Sequence, residues 1–591
     1  MPLLSRPSPA PSASAARPFL RRVAGLLAGT ALLGLLPGPA AAELPSRLER
    51  PPQDDVIYFL MLDRFANGDT GNDTGGIAGD ATAHGFDPTS EDFFNGGDLK
   101  GLTERLDYIK GLGATAIWVT PVFRNDAVQF RYGKHTAGYH GYWINDFLGI
   151  DPHFGTKDDF RRFVEEAHKR DMKVILDIVI NHTSDVVHYR ECHDPAVAGP
   201  NATFHDDCPY RPVGQPPYTP YILPKEAGVK NPPWLNDVSV YNNRGDSTFK
   251  GESSLKGDFA GLDDVNTLDP RVVQGMIDIY KHWISEYRID GYRIDTARHV
   301  ETPFWQAFIP AILDHAKAQG IPNFYIFGEV YEYEPEVLSR FTRDDRFPAV
   351  LDFAFQAAAG NVASGASGPA ELAAVFAKDG LYGGGTTILP TFLGNHDMGR
   401  YAYFLSKHQP GIDDGERVKR VALAHALMMF SRGVPVIYYG DEQGFVGKGG
   451  YGGSRASLFP TKVPSYAADD LIGTAETPAE DNFDPGHPIY QALAAQATIR
   501  ASEPALRQGS KTVLRADDKP GILAFLRGEA GKGGVLVVAN TNTAEAKADL
   551  TVPGAGALTA LMGTCPVAAG ADGAVSLTVP ALSVLVCRTG G

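Results

Sequence analysis

The alternation of short apolar segments with amphipathic stretches is the feature that most constrains the fold of this chain. Eight segments rich in aliphatic and aromatic residues follow one another along the sequence, at 56–65, 114–122, 173–182, 288–295, 324–330, 349–355, 387–397 and 434–442. Amphipathic stretches, for example 158–171 and 417–432, lie between them. Near-continuous apolar strands that alternate with helices are typical of a parallel sheet covered on both faces. Eight such units predict an α/β fold, a (β/α)8 TIM barrel.

Two intervals depart from this rhythm. Residues 183–264, after the third strand, are rich in Pro, Asn, Asp and Gly without a clear period, which predicts a loop-rich inserted domain. Residues 505–591 contain short apolar runs separated by turn residues, which predicts a C-terminal antiparallel β-sandwich. The barrel is therefore expected in two parts, 43–182 and 265–504.

The N-terminal residues 1–42 resemble a secretory signal peptide. Arg17, Arg21 and Arg22 precede an apolar run that ends in small residues before Glu43. The alternative is a membrane anchor, but the strongly apolar part spans only about 14 residues, and a helix needs about 20 to cross a bilayer. We therefore expect cleavage after Ala42, a secreted or periplasmic protein, and no membrane attachment after the signal is removed.

Export would permit disulfides, and the chain has four cysteines: Cys192, Cys208, Cys565 and Cys587. Three pairings are possible, and the local pairs Cys192–Cys208 and Cys565–Cys587 are favoured. The alternative for the first pair is a zinc site that adds His193 and His205, since these ligand types also suit zinc.

Charge narrows the range of partners. The formal net charge of −16 disfavours nucleic acid, whose phosphates require a basic surface. The hydrophobic content of 43% is that of a soluble globular protein, and we expect a monomer.

Polar residues gather where the predicted strands end. In such barrels the C-terminal strand ends build the site, whereas aliphatic side chains fill the interior. The third strand ends in Asp177, Asn181 and His182, and the fourth ends in Arg293 and Asp295. The fifth ends in Glu329, and the seventh ends in His396 and Asp397. Three carboxylates on one rim suit cleavage of a glycosidic bond, with one as nucleophile and one as acid/base.

The environments of two carboxylates predict different roles. Arg293 and Asp295, two residues apart in a strand, share one face, so the guanidinium can lower the pKa of Asp295 and keep it ionised as a nucleophile. An isolated ion pair in a core is a poor source of stability, which favours a functional interpretation. Glu329 has apolar neighbours, which predicts a raised pKa and the role of acid.

Four segments taken together resemble the signature regions of the α-amylase family of glycoside hydrolases. They are DIVINH (177–182), GYRIDTARH (291–299), FGEV (327–330) and FLGNHD (392–397), in the family's order. Segments 113–121, 138–147 and 433–442 are also similar to that family, and the resemblance covers about residues 53–590.

The resemblance implies a role for each matching residue. Asp295 matches the nucleophile, Glu329 the acid/base and Asp397 the aspartate that stabilises the transition state. The positions that match substrate-binding residues are Arg293, Tyr142, His140, His182, His396, Arg298 and His299. Arg298 stands where the family commonly has lysine, which alters the hydrogen-bonding geometry beyond the cleavage point. The implied reaction is a retaining double displacement at α-glucosidic bonds, and the implied partner is an α-glucan such as starch.

The resemblance also implies one or two structural Ca²⁺ ions. The first site would use the oxygen-rich loop that follows the first strand and the loop before 99, with the ligands Asn67, Asp69, Asn72, Asp73, Gly96 and Asp98. By composition alone, the first loop would instead be interpreted as a solvated turn. The second site, between barrel and insertion, would use Asn181, Asp264 and the carbonyl of His299.

Several activities share these motifs. Thr296 stands where family members that cleave α-1,6 bonds often carry valine, which favours α-1,4-glucan. A cyclodextrin glycosyltransferase is the alternative, given the calcium loop and Tyr331, although such enzymes usually carry two further domains after the sandwich. A non-catalytic starch-binding protein is disfavoured because all three carboxylates are present. The glycine-rich run at 447–454 lacks the ending of a phosphate loop and is interpreted as a mobile loop at the rim.

Overall fold

The computed structural model describes residues 44–131, 133–204, 207–450 and 452–590. The predicted signal peptide, 1–42, lies outside the described residues, as does His205 of the alternative zinc site. Within the described ranges, no helix combines the length and the apolar character that a membrane crossing requires.

Eight parallel strands form a nearly closed barrel, which confirms the predicted fold class. The strands are β1 (Ile57–Leu60), β2 (Ala116–Val119), β3 (Lys173–Ile178), β4 (Gly291–Ile294), β5 (Tyr325–Gly328), β6 (Ala349–Val350), β7 (Pro390–Thr391) and β8 (Val434–Tyr438). They pair in the order β6-β5-β4-β3-β2-β1-β8-β7, so the first strand lies beside the last. Every strand residue is buried, as expected of a sheet with apolar side chains on both faces.

Helices cover the barrel between these strands. The longer ones are Lys157–Lys169, Pro270–Tyr287, Thr302–Ala318, Pro335–Arg343, Phe353–Ser364, Ala370–Ala377, Tyr401–His408, Asp414–Phe430 and Pro488–Ser502, with Leu99–Glu104 and Leu106–Gly111 after β1. Their ends follow local sequence signals. Lys157–Lys169, for example, begins at a reciprocal cap between Thr156 and Asp159.

Two predicted strand segments are much shorter in the structure. Of 349–355 only β6 is strand, because Asp352 accepts a hydrogen bond from the backbone N–H of Phe355 and so caps the next helix. Of 387–397 only β7 is strand, and the 3-10 turn Gly385–Ile388 precedes it. A helix cap therefore ends β6 early, and a turn delays the start of β7.

The segment after β3 consists mostly of loops and short elements. It holds two small antiparallel pairs, His182–Thr183 with Asp263–Asp264 and Val187–Tyr189 with Pro220–Ile222, and the short helices Arg190–His193, Pro195–Ala198 and Ser253–Lys256. Cys192 and Cys208 form a disulfide, so the zinc alternative is wrong for this pair.

The C-terminal region is an antiparallel β-structure, as predicted. Its strands are β9 (Lys511–Ala516), β10 (Ile522–Arg527), β11 (Val535–Asn540), β12 (Ala546–Thr551), β13 (Leu558–Met562), β14 (Ala574–Val579) and β15 (Ser583–Thr589). One sheet has the order β9-β10-β11-β15-β13, and β12 pairs with β14. The predicted disulfide Cys565–Cys587 is present here. The exact domain boundaries stay predictions.

Alternate residues of β10 contribute to two different cores. Leu523 and Phe525 pack with the barrel core, whereas Ile522, Ala524 and Leu526 pack in a separate core with β12 and β14. The sheet is therefore apolar on both faces, and one face lies against the barrel.

We predict that Phe525→Ala destabilises the whole chain. Phe525 is fully buried and its ring meets that of Phe376 edge-on at 6.3 Å. Loss of a buried phenyl ring costs about 3–5 kcal/mol of unfolding free energy, which urea denaturation would measure. Val513→Ala in the same sheet is the matched control, since Val513 is 36% exposed. Equal stability of the two variants would contradict the shared core.

Candidate active site

The three predicted catalytic carboxylates line one cavity at the C-terminal rim of the barrel. The cavity has a volume of about 570 Å³ and is bordered by Asp295 after β4, Glu329 after β5 and Asp397 after β7. Five of the predicted substrate-binding residues also line it: Tyr142, His140, His182, Arg298 and His299. The other two, Arg293 and His396, do not. The structure therefore brings residues from distant parts of the sequence to one place.

Arg293 joins several carboxylates rather than one. Its Nη1 lies 2.8 Å from Asp177 Oδ1 and 2.8 Å from Asp295 Oδ1, and its Nη2 lies 2.8 Å from Glu329 Oε2. The strand register explains this, because β4 lies between β3 and β5 and places Arg293 opposite Asp177. Sequence analysis identified only the pair with Asp295, since the other partners depend on strand order.

Burial changes the pKa values of Asp295, Glu329 and Asp177 more than the Arg293 guanidinium does. Arg293 does lower the pKa of Asp295, as predicted, but burial outweighs it and the net shift is upward. The pKa of Glu329 is raised to about 8, chiefly by burial; Arg293 opposes this rise, and the negative charges of Asp295 and Asp397 add to it. Burial likewise raises the pKa of Asp177 to about 7. Glu329 is therefore protonated at neutral pH.

Asp397 is held by an arginine that sequence analysis did not identify. Arg455 Nη2 donates to Asp397 Oδ1 at 3.0 Å, and its Nε donates to the carbonyl of His396 at 2.9 Å. Burial alone would raise the pKa of Asp397, but the His396 imidazole and the Arg455 guanidinium outweigh it and lower the pKa. The available signal was an arginine directly after the glycine-rich run 447–454, which follows the eighth strand and so returns to the same rim.

A tyrosine lies between two histidines at the base of the cavity. The hydroxyl of Tyr142 lies 3.1 Å from Asp177 Oδ2 and 2.9 Å from His396 Nε2. Its ring is stacked on those of His140 and His396, with centroids 5.7 and 5.6 Å apart. Burial lowers the pKa of His140, His182 and His396, so these imidazoles are neutral and can hydrogen-bond to hydroxyl groups.

Thr296 and Arg298 shape the side of the cavity beyond Glu329. Thr296 has a left-handed backbone, with φ at 47°, which directs its N–H to Glu329 Oε2 at 3.1 Å. Arg298 Nη1 donates to the carbonyl of Tyr331 at 2.6 Å. Arginine at this position therefore holds the loop after β5, in addition to any contact with a substrate.

Several residues predicted to form the first calcium site lie close together. Asn67 Nδ2 lies 2.9 Å from Asp73 Oδ1, and a side chain at Gly96 would collide with both residues. Burial raises the pKa of Asp73 to about 6, and the Oδ1 atoms of Asn67 and Asn72 are buried without a hydrogen-bond partner. Unpartnered oxygens around the half-buried carboxyl group of Asp73 fit a cation.

Two of the predicted ligands of this site have other partners. Asp98 accepts hydrogen bonds from the backbone N–H groups of Gly101 and Asp69 at 2.7 Å and caps the helix Leu99–Glu104. Asp69 is exposed, and its side chain accepts the N–H of Gly71 at 3.0 Å. Asp69 could therefore take part only through its backbone.

The second predicted calcium site is less complete. Asn181 and Asp264 are buried at the base of the insertion, where Asp264 pairs with His182, and burial raises the pKa of Asp264 far above its usual range. Asp264 Oδ2 accepts a hydrogen bond from Asn242 at 2.7 Å, and His299 Nδ1 contacts the carbonyl of Ser254 at 2.8 Å. In the described part of the chain, no group of three His, Cys, Asp or Glu residues could hold a metal, so both sites depend on amide and carbonyl oxygens.

A parallel barrel with three carboxylates around one cavity defines a class of protein suited to glycosidic bonds. Comparison with known proteins agrees. The model of the α-amylase catalytic domain matches residues 59–486. An α-amylase of Streptomyces lividans is 43% identical over 541 residues, which cover 87% of this chain and 58% of that protein. The chain belongs to the α-amylase family of glycoside hydrolases.

Solved structures match nearly the whole chain. An Anoxybacillus α-amylase is 28% identical with a TM-score of 0.69, covering 92% of this chain and 99% of that one. An α-amylase of Geobacillus thermoleovorans in complex with acarbose is 28% identical with a TM-score of 0.66, over 92% and 99%. A three-domain cyclomaltodextrin glucanotransferase is 27% identical with a TM-score of 0.69, over 91% and 99%. Domain number therefore does not separate the two activities, contrary to the argument from sequence.

We predict that activity falls as the pH rises through about 8. Glu329 must be protonated to act as an acid, and its raised pKa of about 8 keeps it so up to that point. The alkaline limb of kcat/KM on a chromogenic maltooligoside would report the pKa of Glu329 in the free protein. A limb near the ordinary glutamate pKa of about 4.3 would show that burial does not control this group.

Proposed function

We propose that the chain is a retaining α-glucan hydrolase that cleaves α-1,4-glucosidic bonds of starch or maltooligosaccharides by double displacement. The observation that carries the proposal is the linkage of Asp295 and Glu329 through Arg293, with Asp397 held on the same cavity by Arg455. The family membership, and the acarbose bound to the Geobacillus relative, support an α-glucan as partner. The chain spans 58% of the length of its Streptomyces relative, so activity and substrate are inferred from the site.

In the first half of the reaction, Asp295 attacks the anomeric carbon while Glu329 donates its proton to the leaving oxygen. The product is a glycosyl ester on Asp295. The ester removes the negative charge that raises the pKa of Glu329, so that pKa falls and the group becomes a base. Glu329 then takes a proton from the water that opens the ester, which restores both groups.

The remaining residues bind and orient the sugar. Asp397, whose pKa is lowered, stays ionised and can stabilise the positive charge that develops on the sugar ring. Tyr142 offers an aromatic face to the cavity, and the neutral imidazoles of His140 and His182, which line it, can hydrogen-bond to sugar hydroxyls. His396 does not line the cavity, but its Nε2 lies 2.9 Å from the Tyr142 hydroxyl and can orient it.

A cyclodextrin glycosyltransferase is the second candidate. The three-domain glucanotransferase matches as well as the amylases do, and a Klebsiella oxytoca glucanotransferase is 28% identical over 520 residues. Tyr331, 43% exposed beside the acid, provides an aromatic surface for an acceptor sugar. A non-catalytic starch-binding role remains the third alternative, opposed by the assembled carboxylates.

We predict linear maltooligosaccharides from maltoheptaose with the wild type and none with Asp295→Asn. The amide cannot act as a nucleophile, so the rate should fall by at least about 10⁴-fold. A product time course on soluble starch and maltoheptaose makes the measurement. Cyclic or lengthened early products would identify a transferase, and binding without turnover by the wild type would identify a binding protein.

Calcium is proposed as a structural ion, held by Asn67, Asn72, Asp73, Gly96 and Asp98. When bound it would neutralise the buried carboxyl groups and join the two loops that carry them. For the second site, Asn181, Asp264 and the His299 carbonyl supply oxygens of the right kind. Export from the cytosol is supported by the two disulfides. The absence of nucleic-acid and membrane partners and the monomeric state stay predictions.

We predict that calcium raises the melting temperature through the first site. At a concentration of about 100 times the dissociation constant, an ion that binds only the folded state adds about 2.7 kcal/mol. Scanning calorimetry with calcium and with a chelator would measure the shift, and Asp73→Ala should abolish it. Asp69→Ala is the control, since that side chain faces Gly71. A chelator response that survives Asp73→Ala would place the ion elsewhere.

A further inference from the structure

Arg64 is a fully buried arginine at the rim of the barrel that carries the active site. It lies in the short helix Leu62–Phe65, directly after β1, and neither its side chain nor that of its partner Asp63 is exposed. A guanidinium in such a place has lost its hydration and needs several hydrogen-bond acceptors. A buried ion pair is by itself weak evidence for stability, so the other contacts of Arg64 indicate what it supports.

One side of Arg64 is fixed to the loops that follow β1. Its Nε donates to Asp63 Oδ2 at 2.7 Å, and its Nη2 donates to the carbonyl of Phe93 at 2.9 Å. Asp63 is held in turn, because its Oδ1 accepts the backbone N–H groups of Asn95 and Gly96 at 2.9 and 3.0 Å. The guanidinium therefore has a fixed position relative to the barrel.

The other side of Arg64 meets Arg455, the residue that holds Asp397. Arg64 Nη1 donates to the carbonyl of Arg455 at 3.2 Å. Its guanidinium also lies over the ring of Tyr139, 4.0 Å from the centroid, and the Tyr139 hydroxyl accepts Nη1 of Arg455 at 3.1 Å. Arg64 thus contacts the backbone of Arg455 directly and its side chain through one aromatic ring.

Arg455 depends on such contacts because it lies outside every helix and strand. The carbonyls of the residues on either side accept the hydroxyls of Tyr438 and Tyr439 at 3.1 and 3.0 Å. The carbonyl of Arg455 itself accepts Arg64. Each carbonyl of this short segment is therefore held by a different buried side chain.

The position of Arg455 decides the position of Asp397. The same guanidinium donates to the Asp397 carboxylate at 3.0 Å and to the carbonyl of His396 at 2.9 Å. A carboxylate that stabilises a developing positive charge is effective only at the right distance, and small displacements are costly. A shift of the Arg455 backbone would therefore move Asp397 away from the reacting sugar.

We propose that Arg64 is a positioning residue of the active site, which fixes Arg455 and so holds Asp397 where the sugar becomes positively charged. Arg64 is not among the residues that line the catalytic cavity, so its effect passes through Arg455 and Tyr139. The proposal rests on the proposed function, since it assumes that Asp397 stabilises the transition state.

The test is a set of double-mutant cycles in the full-length protein. Arg64→Lys keeps the charge, but an ammonium cannot reach the acceptors on both sides as a guanidinium does. Tyr139→Phe keeps the ring beneath Arg64 and removes only the hydroxyl that Arg455 contacts. Each substitution is made in the wild type and in an Arg455→Ala background.

Arg432→Lys is the matched control. Arg432 is also buried, with a side chain 3% exposed, and it pairs with Asp352 and Asp379, none of which lines the cavity. For every variant, kcat and KM on a chromogenic maltooligoside would be measured together with the melting temperature. The chromogenic substrate keeps the low activity of the Arg455→Ala background measurable.

We expect Arg64→Lys to lower kcat about tenfold and Tyr139→Phe about threefold, with KM changed less than about twofold, because the lost interaction is made in the transition state. In the Arg455→Ala background each substitution should lower kcat by less than about twofold more, since the residue through which it acts is gone. Arg432→Lys should lower the melting temperature and leave kcat unchanged at temperatures where the variant is folded.

Equal losses of kcat in both backgrounds would show that Arg64 only stabilises the fold, and would overturn the proposal. An unchanged kcat in either folded single variant would do the same. Should Arg64→Lys fail to fold, Tyr139→Phe supplies the comparison. A wild type that does not turn over the maltooligoside would refute the proposed function itself, so the two failures are distinguishable.

Discussion

The site depends on one buried guanidinium shared among carboxylates that could not otherwise be brought together. Arg293 is fully buried and contacts Asp177, Asp295 and Glu329, the last two at the edge of the cavity. A single positive charge cannot balance three negative ones in such a place, so protons must make up the difference. The raised pKa values of Asp177 and Glu329 show where these protons reside. Burial also raises the pKa of Asp295, and the guanidinium of Arg293 opposes that rise.

This balance also explains how one carboxyl group can serve in both halves of a double displacement. The proton affinity of Glu329 depends on the charge of its neighbours, and the proposed reaction would change that charge by converting Asp295 to an ester. Asp397 does not share in this exchange, because Arg455 and His396 keep its pKa low. Arg293 thus contacts both the proposed nucleophile and the proposed acid, whereas Arg455 holds Asp397 as a fixed charge.

The fold, the three carboxylates that line one cavity and both disulfide pairings could be predicted from the sequence, because each leaves a local or periodic signal. Apolar runs gave the strands, and polar residues at their ends gave the site. Contacts that depend on strand order could not be predicted in this way. Arg293 reaches Asp177 and Glu329 only because β4 lies between β3 and β5. Arg455 lies in an irregular segment, where no periodicity indicates which carboxylate its guanidinium will meet. The strand β6 is short because a helix cap follows it, and β7 is short because a turn precedes it.

The C-terminal sheet has a consequence for how such chains can diverge. The strand β10 contributes Leu523 and Phe525 to the barrel core and its alternate residues to a second core. It therefore belongs to both hydrophobic cores and separates them. A mutation on one face of β10 changes the packing of the barrel core, and a mutation on the other face changes the packing of the terminal region's own core. Recombination that replaced this sheet would have to supply a complementary surface for the barrel. Because one face of this sheet completes the barrel core, the terminal region cannot be exchanged independently of the barrel.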